Sequence, residues 1–195
     1  DCIVMEYIEG LTLTQTLTLT QTQTLTQTQT KGFYDKIFNE LLNAMEYFHS
    51  KQIIHRDLKP SNILITNNGN NVKIIDFGLS DTDDYVILKQ AAGTRKYAAP
   101  EQLIPKNTID CRADIYSLGI ILRNNFPKSY QKIADKCAQQ DREKRFSSVD
   151  EIRNYIKKKK ITKTSIVIST ILILLFALSF AITKHYISGK TYNTN

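Results

Sequence analysis

Cysteine is scarce in this chain of 195 residues. The three cysteines, Cys2, Cys111 and Cys137, are odd in number and far apart in the sequence, and no CxxC pair occurs. Zinc sites and disulfide frameworks need cysteines at short, paired spacings, so the sequence predicts neither. Cysteine thiols that form no disulfide and bind no metal are typical of a protein in a reducing compartment. The amino-terminal residues also lack the pattern of a signal peptide.

Acidic residues are absent from Arg153 onward, where eight of the 26 basic residues lie. Residues 1–152 therefore hold 18 basic and 19 acidic side chains, and the net charge of +7 belongs to the carboxyl-terminal end. A protein that binds nucleic acid carries a basic surface on its folded domain. The near-neutral charge of residues 1–152 therefore predicts no nucleic-acid partner.

Residues 11–30 form a dipeptide repeat without a single charged residue, glycine or proline. Threonine occupies every even position, and leucine or glutamine occupies the odd ones. The period of two imitates an amphipathic strand. Such strict regularity is more typical of a low-complexity expansion, and we expect no catalytic role for it.

Residues 31–152 have the patterns of an ordinary folded domain. Apolar residues recur at helical spacing within residues 33–50, which predicts a helix with one apolar face. The turn-forming residues 67–71 join two short apolar runs and predict a hairpin. Strands are predicted over residues 2–5, 53–55, 63–66 and 72–76, and helices over 33–50, 114–124, 129–140 and 148–157.

Residues 165–183 contain no charged side chain and include fourteen apolar ones. As a helix they would extend about 28 Å, close to the thickness of a bilayer core, so we predict one transmembrane helix there. Six basic residues lie between Arg153 and this run, whereas three, counting His185, follow it. By the positive-inside rule we expect a single-pass cell-membrane protein with its large amino-terminal part in the cytoplasm. Residues 157–164 would form a basic segment with Lys157–Lys160 against anionic lipid, and residues 184–195 an external tail.

The most specific chemical signal is the octet His-Arg-Asp-Leu-Lys-Pro-Ser-Asn at 55–62, followed by Asp-Phe-Gly at 76–78. Phosphoryl transfer requires metal ions held against the phosphates and a carboxylate that orients and accepts a hydroxyl proton. Mg²⁺ prefers oxygen ligands, and Asn62 and Asp76 each supply one. Asp57 is then the free carboxylate, and Lys59, two positions later, can reach a transferred phosphate.

These motifs, with Ala-Pro-Glu at 99–101, resemble those of eukaryotic-like Ser/Thr protein kinases of the bacterial, membrane-anchored type. The resemblance extends from about Asp1 to Ile156 and is interrupted by the repeat. It implies an α+β fold, namely a kinase C-lobe that is mainly helical with short β-hairpins, over residues 31–156. It also implies ATP and Mg²⁺ as cofactors and a protein Ser or Thr as the phosphate acceptor.

The resemblance implies roles for residues of the octet and the triplet. Asp57 would be the catalytic base and Lys59 the contact for the γ-phosphate of ATP. Asn62 and Asp76 would be the metal ligands.

Nucleotide-binding residues are implied in the same way. Residues 1–10 resemble the hinge between the two kinase lobes, with Met5 as gatekeeper. The carbonyl of Glu6 and the amide of Ile8 would then hydrogen-bond adenine, and Leu64 would form the floor of the adenine pocket.

Structural and regulatory positions follow from the resemblance too. Asp114 would brace the backbone of the catalytic loop, and Arg145 would pair with Glu101. Thr94 would bond Asp57 and Lys59 within a peptide-docking loop.

Arg56 resembles an arginine that grips a phosphate on the activation segment. Thr82 and Thr94 are candidate acceptors of that phosphate. Acidic residues at Asp81, Asp83 and Asp84 are the alternative source of negative charge, and the sequence leaves the two alternatives open.

The sequence departs from the kinase pattern in three places. No Gly-rich loop, strand lysine or partner glutamate precedes the octet, so most of the N-lobe is lacking. The repeat at 11–30 occupies the place of the polar helix expected after the hinge, and the segment between Asp114 and Arg145 is short. Two functions therefore stay open: the C-terminal portion of a membrane-anchored Ser/Thr kinase, or a catalytically incompetent, pseudokinase-like binding module at the inner membrane face.

Overall fold

A computed structural model describes residues 6–22, 27–77 and 94–191 of the chain. The chain divides into two compact units, with the boundary between Ile152 and Arg153. The strand predicted at 2–5 lies outside the described residues.

A small antiparallel sheet has the strand order β1-β2-β3, with β1 at Gly10–Thr12, β2 at Ile63–Thr66 and β3 at Val72–Ile74. Leu11 lies opposite Ile65, and Ile65 lies opposite Val72. A Cβ atom at Gly10 would lie 2.4 Å from the carbonyl oxygen of Ile65, so this close approach of β1 requires glycine. The predicted hairpin of β2 and β3 is confirmed, whereas residues 53–55 are not a strand.

Five α-helices accompany the sheet in the described residues, and the last is longer than its sequence pattern predicted. They are α1 at Leu13–Thr22, α2 at Gln27–Ser50, α3 at Arg112–Asn125, α4 at Gln131–Cys137 and α5 at Val149–Thr191.

The threonine repeat begins with β1 and continues as α1, so its period of two does not describe its structure. The backbone N–H of Gln15 donates to Thr12 Oγ1 (3.3 Å), and that of Thr12 donates to Gln15 Oε1 (2.9 Å). These two bonds form a capping box at the start of the helix. Leu13 and Leu17, four positions apart, are both buried. Capping and one buried apolar edge therefore stabilise a helix in a sequence that resembles a strand.

The core of the first unit lies around α2 and α3. Ile37, Leu41 and Met45 of α2 are completely buried. Residues 113–122 of α3 are all buried. At Gly119 a Cβ atom would lie 2.7 Å from the backbone nitrogen of Ala138, so glycine allows α3 to approach the end of α4 closely.

The second unit consists of the part of α5 beyond Ile152. Many of its described large apolar side chains are exposed, among them Leu174 and Phe176. Within the described residues, no helix is both long enough and apolar enough to cross a membrane, which corrects the transmembrane helix predicted over 165–183.

Candidate active site

Asp57 lies in the loop that connects α2 with β2, and its side chain is almost completely buried. Its Oδ2 atom is 2.7 Å from Lys59 Nζ. Asn62 Nδ2 donates to the same carboxylate oxygen at 3.2 Å and to the Asp57 carbonyl oxygen at 3.0 Å. The short 3-10 turn Pro60–Asn62 directs Asn62 back towards Asp57. Three residues of the octet therefore form one hydrogen-bonded cluster.

Asp114, near the start of α3, binds the backbone of this loop. Its two carboxylate oxygens accept the backbone N–H groups of His55 (2.9 Å) and Arg56 (2.8 Å). Arg56 has a φ of 63°, the left-handed region that non-glycine residues rarely adopt. These two bonds are the contacts that the predicted bracing role of Asp114 requires. His49, which no sequence pattern singled out, is a third partner of Asp114, with its Nε2 2.9 Å from Asp114 Oδ2.

The imidazole of His55 connects the loop with the segment that carries Asp76. His55 Nε2 lies 3.0 Å from the carbonyl oxygen of Ile75, and the N–H of Asp57 points to His55 Nδ1 at 3.2 Å. A carbonyl oxygen only accepts and a backbone N–H only donates, so the proton is on Nε2 and Nδ1 is the acceptor. Phe77 stacks near this ring, with centroids 4.6 Å apart.

Asp76 is placed beside the octet by the backbone. The N–H of Ile75 donates to the carbonyl oxygen of Asn62 at 2.9 Å, and Asp76 follows with a φ of 66° and an exposed side chain. An amide oxygen from Asn62 and a carboxylate from Asp76 are hard oxygen ligands. This donor set fits a Mg²⁺ ion that takes its other ligands from phosphate and water. No cluster of three His, Cys, Asp or Glu side chains suited to a metal occurs in the described part of the chain.

Of the predicted adenine-binding residues, Glu6 and Ile8 line one cavity and Leu64 does not. Glu6 and Ile8 border a cavity of about 330 Å³ that also includes residues 66–68, Asn71 and Lys73. Leu64 is absent from that lining, and its side chain is half-buried in β2. Met5 lies outside the described residues.

The Ala-Pro-Glu triplet at 99–101 is bonded to a buried arginine. Arg145 donates to both carboxylate oxygens of Glu101, at 2.6 and 2.8 Å, and both residues are buried. The remaining donors of Arg145 reach three carbonyl oxygens, those of Gln139, Gln140 and Arg112. The structure thus brings together the two residues that the sequence analysis paired. The side chain of Thr94 and residues 81–84 lie outside what the structure describes, so the partner of Arg56 stays a prediction.

Gln102, which follows the Ala-Pro-Glu triplet, was not predicted as a site residue. Its Oε1 accepts the N–H of Ala99 at 2.9 Å, and its Nε2 donates to the carbonyl oxygen of Arg56 at 2.8 Å. Its position next to Glu101 was the one sequence signal, and that signal did not show the direction of the side chain.

Residues 2–164 match the protein kinase domain family. This match covers most of the chain, which therefore belongs to the protein kinase family.

Curated relatives of the chain are serine/threonine kinases. CBL-interacting serine/threonine-protein kinase 8 of Arabidopsis thaliana is 47% identical over 89 residues, which are 45% of this chain and 20% of that protein. Serine/threonine-protein kinase PknB of Mycolicibacterium smegmatis is 39% identical over 125 residues, 62% of this chain and 19% of that protein. The chain thus spans about a fifth of the length of these two relatives.

Solved structures show the same fold. The PknI kinase domain of M. tuberculosis superposes with a TM-score of 0.57 at 20% identity, and the match covers 80% of this chain and 64% of that one. The predicted kinase-like fold, with helices and a small antiparallel sheet, is confirmed.

Proposed function

We propose that the protein to which this chain belongs transfers the γ-phosphoryl group of ATP to Ser or Thr side chains of proteins. The observation that carries the proposal is the buried cluster in which Lys59 and Asn62 both contact the carboxylate of Asp57. A carboxylate held in one orientation can accept a hydroxyl proton without reorganising during the reaction. The Ser/Thr kinases among the relatives support the acceptor class.

Each residue of the cluster has a different role in the proposed phosphoryl transfer. Asp57 orients the acceptor hydroxyl and takes its proton. Lys59 faces the transferred phosphoryl group, and its charge favours the negative charge that develops there. Asn62 and Asp76 would hold Mg²⁺, which when bound neutralises charge on the ATP phosphates.

The test is phosphorylation of a Ser/Thr peptide mixture by the full-length protein and by two variants. In Asp57→Asn we expect kcat to fall about 10²- to 10⁴-fold, with ATP binding retained, because the base acts in the transition state. Asp76→Asn should weaken Mg²⁺-dependent ATP binding as well. The matched control is Asp135→Asn, since the Asp135 side chain is half-exposed and pairs with Arg123 away from the cluster. Undiminished transfer by Asp57→Asn would overturn the assignment.

A second outcome would favour the alternative function. If the wild-type full-length protein binds partners but transfers no phosphate, the chain is a pseudokinase-like binding module. The sequence feature behind this alternative is that no Gly-rich loop or strand lysine precedes the octet in this chain. For the same reason we expect residues 1–195 alone to show little or no transfer.

We also propose that the protein is located at the cell membrane, with its kinase part on the cytoplasmic side. Exposed apolar side chains on α5, including Leu174 and Phe176, and the exposed basic residues Lys157 and Lys158 support this location. Cell fractionation of the full-length protein tests it against a variant with residues 161–182 deleted. Recovery of both proteins in the same fraction would contradict the proposal.

A further inference from the structure

Gln102 is a buried amide whose two ends bind two different functional segments. Its side chain is only 1% exposed. The oxygen accepts the N–H of Ala99, at the end of the segment that follows Thr94, and the nitrogen donates to the carbonyl of Arg56. The bond to Arg56 links residues 99–103 directly to the catalytic loop.

The carbonyl that Gln102 holds belongs to the peptide group immediately before Asp57. Arg56 has a left-handed φ of 63°, which is unfavourable for a residue with a side chain. Its N–H is held by Asp114 Oδ1 at 2.8 Å, so the two ends of this residue are bound from two different elements. If one of these bonds is lost, the peptide group can rotate, and the Cα of Asp57 moves with it.

We propose that Gln102 is a positioning residue that sets the orientation of the Asp57 carboxylate through the Arg56–Asp57 peptide group. The inference rests on the proposed function. In this role Gln102 connects residues 94–99 with the catalytic loop. The N–H of Ala99 holds the side-chain amide of Gln102, and that side-chain amide holds the carbonyl of Arg56. The conformation of the segment before Pro100 thereby influences the position of Asp57 through these two hydrogen bonds.

Two substitutions separate this role from simple packing. Gln102→Met keeps the length and burial of the side chain and removes both hydrogen bonds. Gln102→Glu keeps the acceptor for the Ala99 N–H and replaces the donor to Arg56 with a carboxylate oxygen, which repels the carbonyl. The control is Gln139→Glu, because Gln139 is exposed and its side chain bonds only within its own helical region.

The kinetic measurement uses the full-length protein with a peptide substrate. For Gln102→Met and Gln102→Glu we expect kcat to fall about 10- to 100-fold, because small misplacements of a catalytic group reduce the rate strongly. KM for the peptide and for ATP should change less than about twofold, since neither substrate contacts Gln102. A packing role alone would leave Gln102→Met close to wild type. Wild-type kcat in both variants would overturn the proposal.

The structural measurement does not depend on activity. In amide hydrogen exchange, the N–H groups of Arg56 and Asp57 should exchange at least about 10-fold faster in both Gln102 variants than in wild type. The amides of Ile115 and Leu118 in α3 should be unchanged, which excludes global unfolding as the cause. Unchanged exchange at Arg56 and Asp57 would overturn the inference. If the wild type transfers no phosphate, the proposed function fails while this measurement still decides whether Gln102 holds the peptide group.

Discussion

Asp114 Oδ1 accepts the backbone N–H of Arg56 at 2.8 Å across 58 positions of the sequence. A left-handed conformation costs a non-glycine residue about 1–2 kcal/mol, so Arg56 needs an external partner to keep it. Asp114 is completely buried and supplies that partner from a rigid helix, α3. The geometry of the catalytic loop therefore depends on a residue far outside the octet.

Replacing Asp114 tests this dependence. In Asp114→Asn, one carboxylate oxygen becomes an NH₂ group that faces backbone N–H donors, so at least one buried donor loses its acceptor. We expect a loss of about 2–4 kcal/mol in the free energy of unfolding, measured by urea denaturation. The Asp135→Asn variant, at a half-exposed ion pair, should lose less than about 1 kcal/mol. Equal stabilities of the two variants would show that Asp114 does not brace the loop.

The buried pair of Glu101 and Arg145 gives a second prediction. Glu101→Gln removes one charge and leaves the guanidinium buried with carbonyl partners alone. We expect a loss of about 3–5 kcal/mol in the free energy of unfolding, since an uncompensated buried charge is strongly unfavourable. The exposed pair of Lys144 and Asp141 is the control, and Lys144→Gln should cost less than about 1 kcal/mol.

A double variant distinguishes the charge effect from lost packing. If the cost of Glu101→Gln comes from the stranded charge of Arg145, then Glu101→Leu combined with Arg145→Met should cost less than the sum of the single changes. Strict additivity in urea denaturation would contradict that explanation.

The hydrogen bond from Tyr130 to Asp35 predicts a pH dependence. Burial alone would raise the pKa of the Asp35 carboxyl, but hydrogen bonds from Lys31 and Tyr130 outweigh it and hold the pKa below its ordinary value of 3.8. A carboxyl whose folded pKa is depressed contributes stability above the unfolded pKa and loses it as the pH falls through the folded pKa. The contribution is therefore present above pH 3.8 and is lost below it.

Tyr130→Phe removes one of the two donors. We expect a loss of about 1 kcal/mol in unfolding free energy near neutral pH, because the partly exposed Asp35 is screened by solvent. The difference from wild type should shrink as the pH falls through the folded pKa of Asp35, which lies below 3.8, because Asp35 then becomes protonated in both proteins. Tyr47→Phe is the control, since Tyr47 is mostly exposed and should show no such dependence. A difference that is constant with pH would contradict the role of Asp35.

Features that depend on a few adjacent residues could be predicted from the sequence. The octet at 55–62 and the triplet at 76–78 specify their chemistry by residue type and order, because the catalytic groups lie within one loop and the hairpin that follows it. The hairpin of β2 and β3 was predictable for the same reason, since Gly69 and Asn70 adopt left-handed conformations that glycine and asparagine accept more readily than other residues.

The sequence by itself determined the kinase class of this protein and singled out the residues that cluster around Asp57. The tertiary structure decided that the threonine repeat continues as a helix, because the burial of Leu13 and Leu17 favours helical spacing over the period of two. It also decided which distant groups hold the catalytic loop. Asp114, His49 and Gln102 reach the loop through hydrogen bonds whose direction depends on how α2, α3 and residues 99–103 pack, and no local pattern in a sequence encodes that packing.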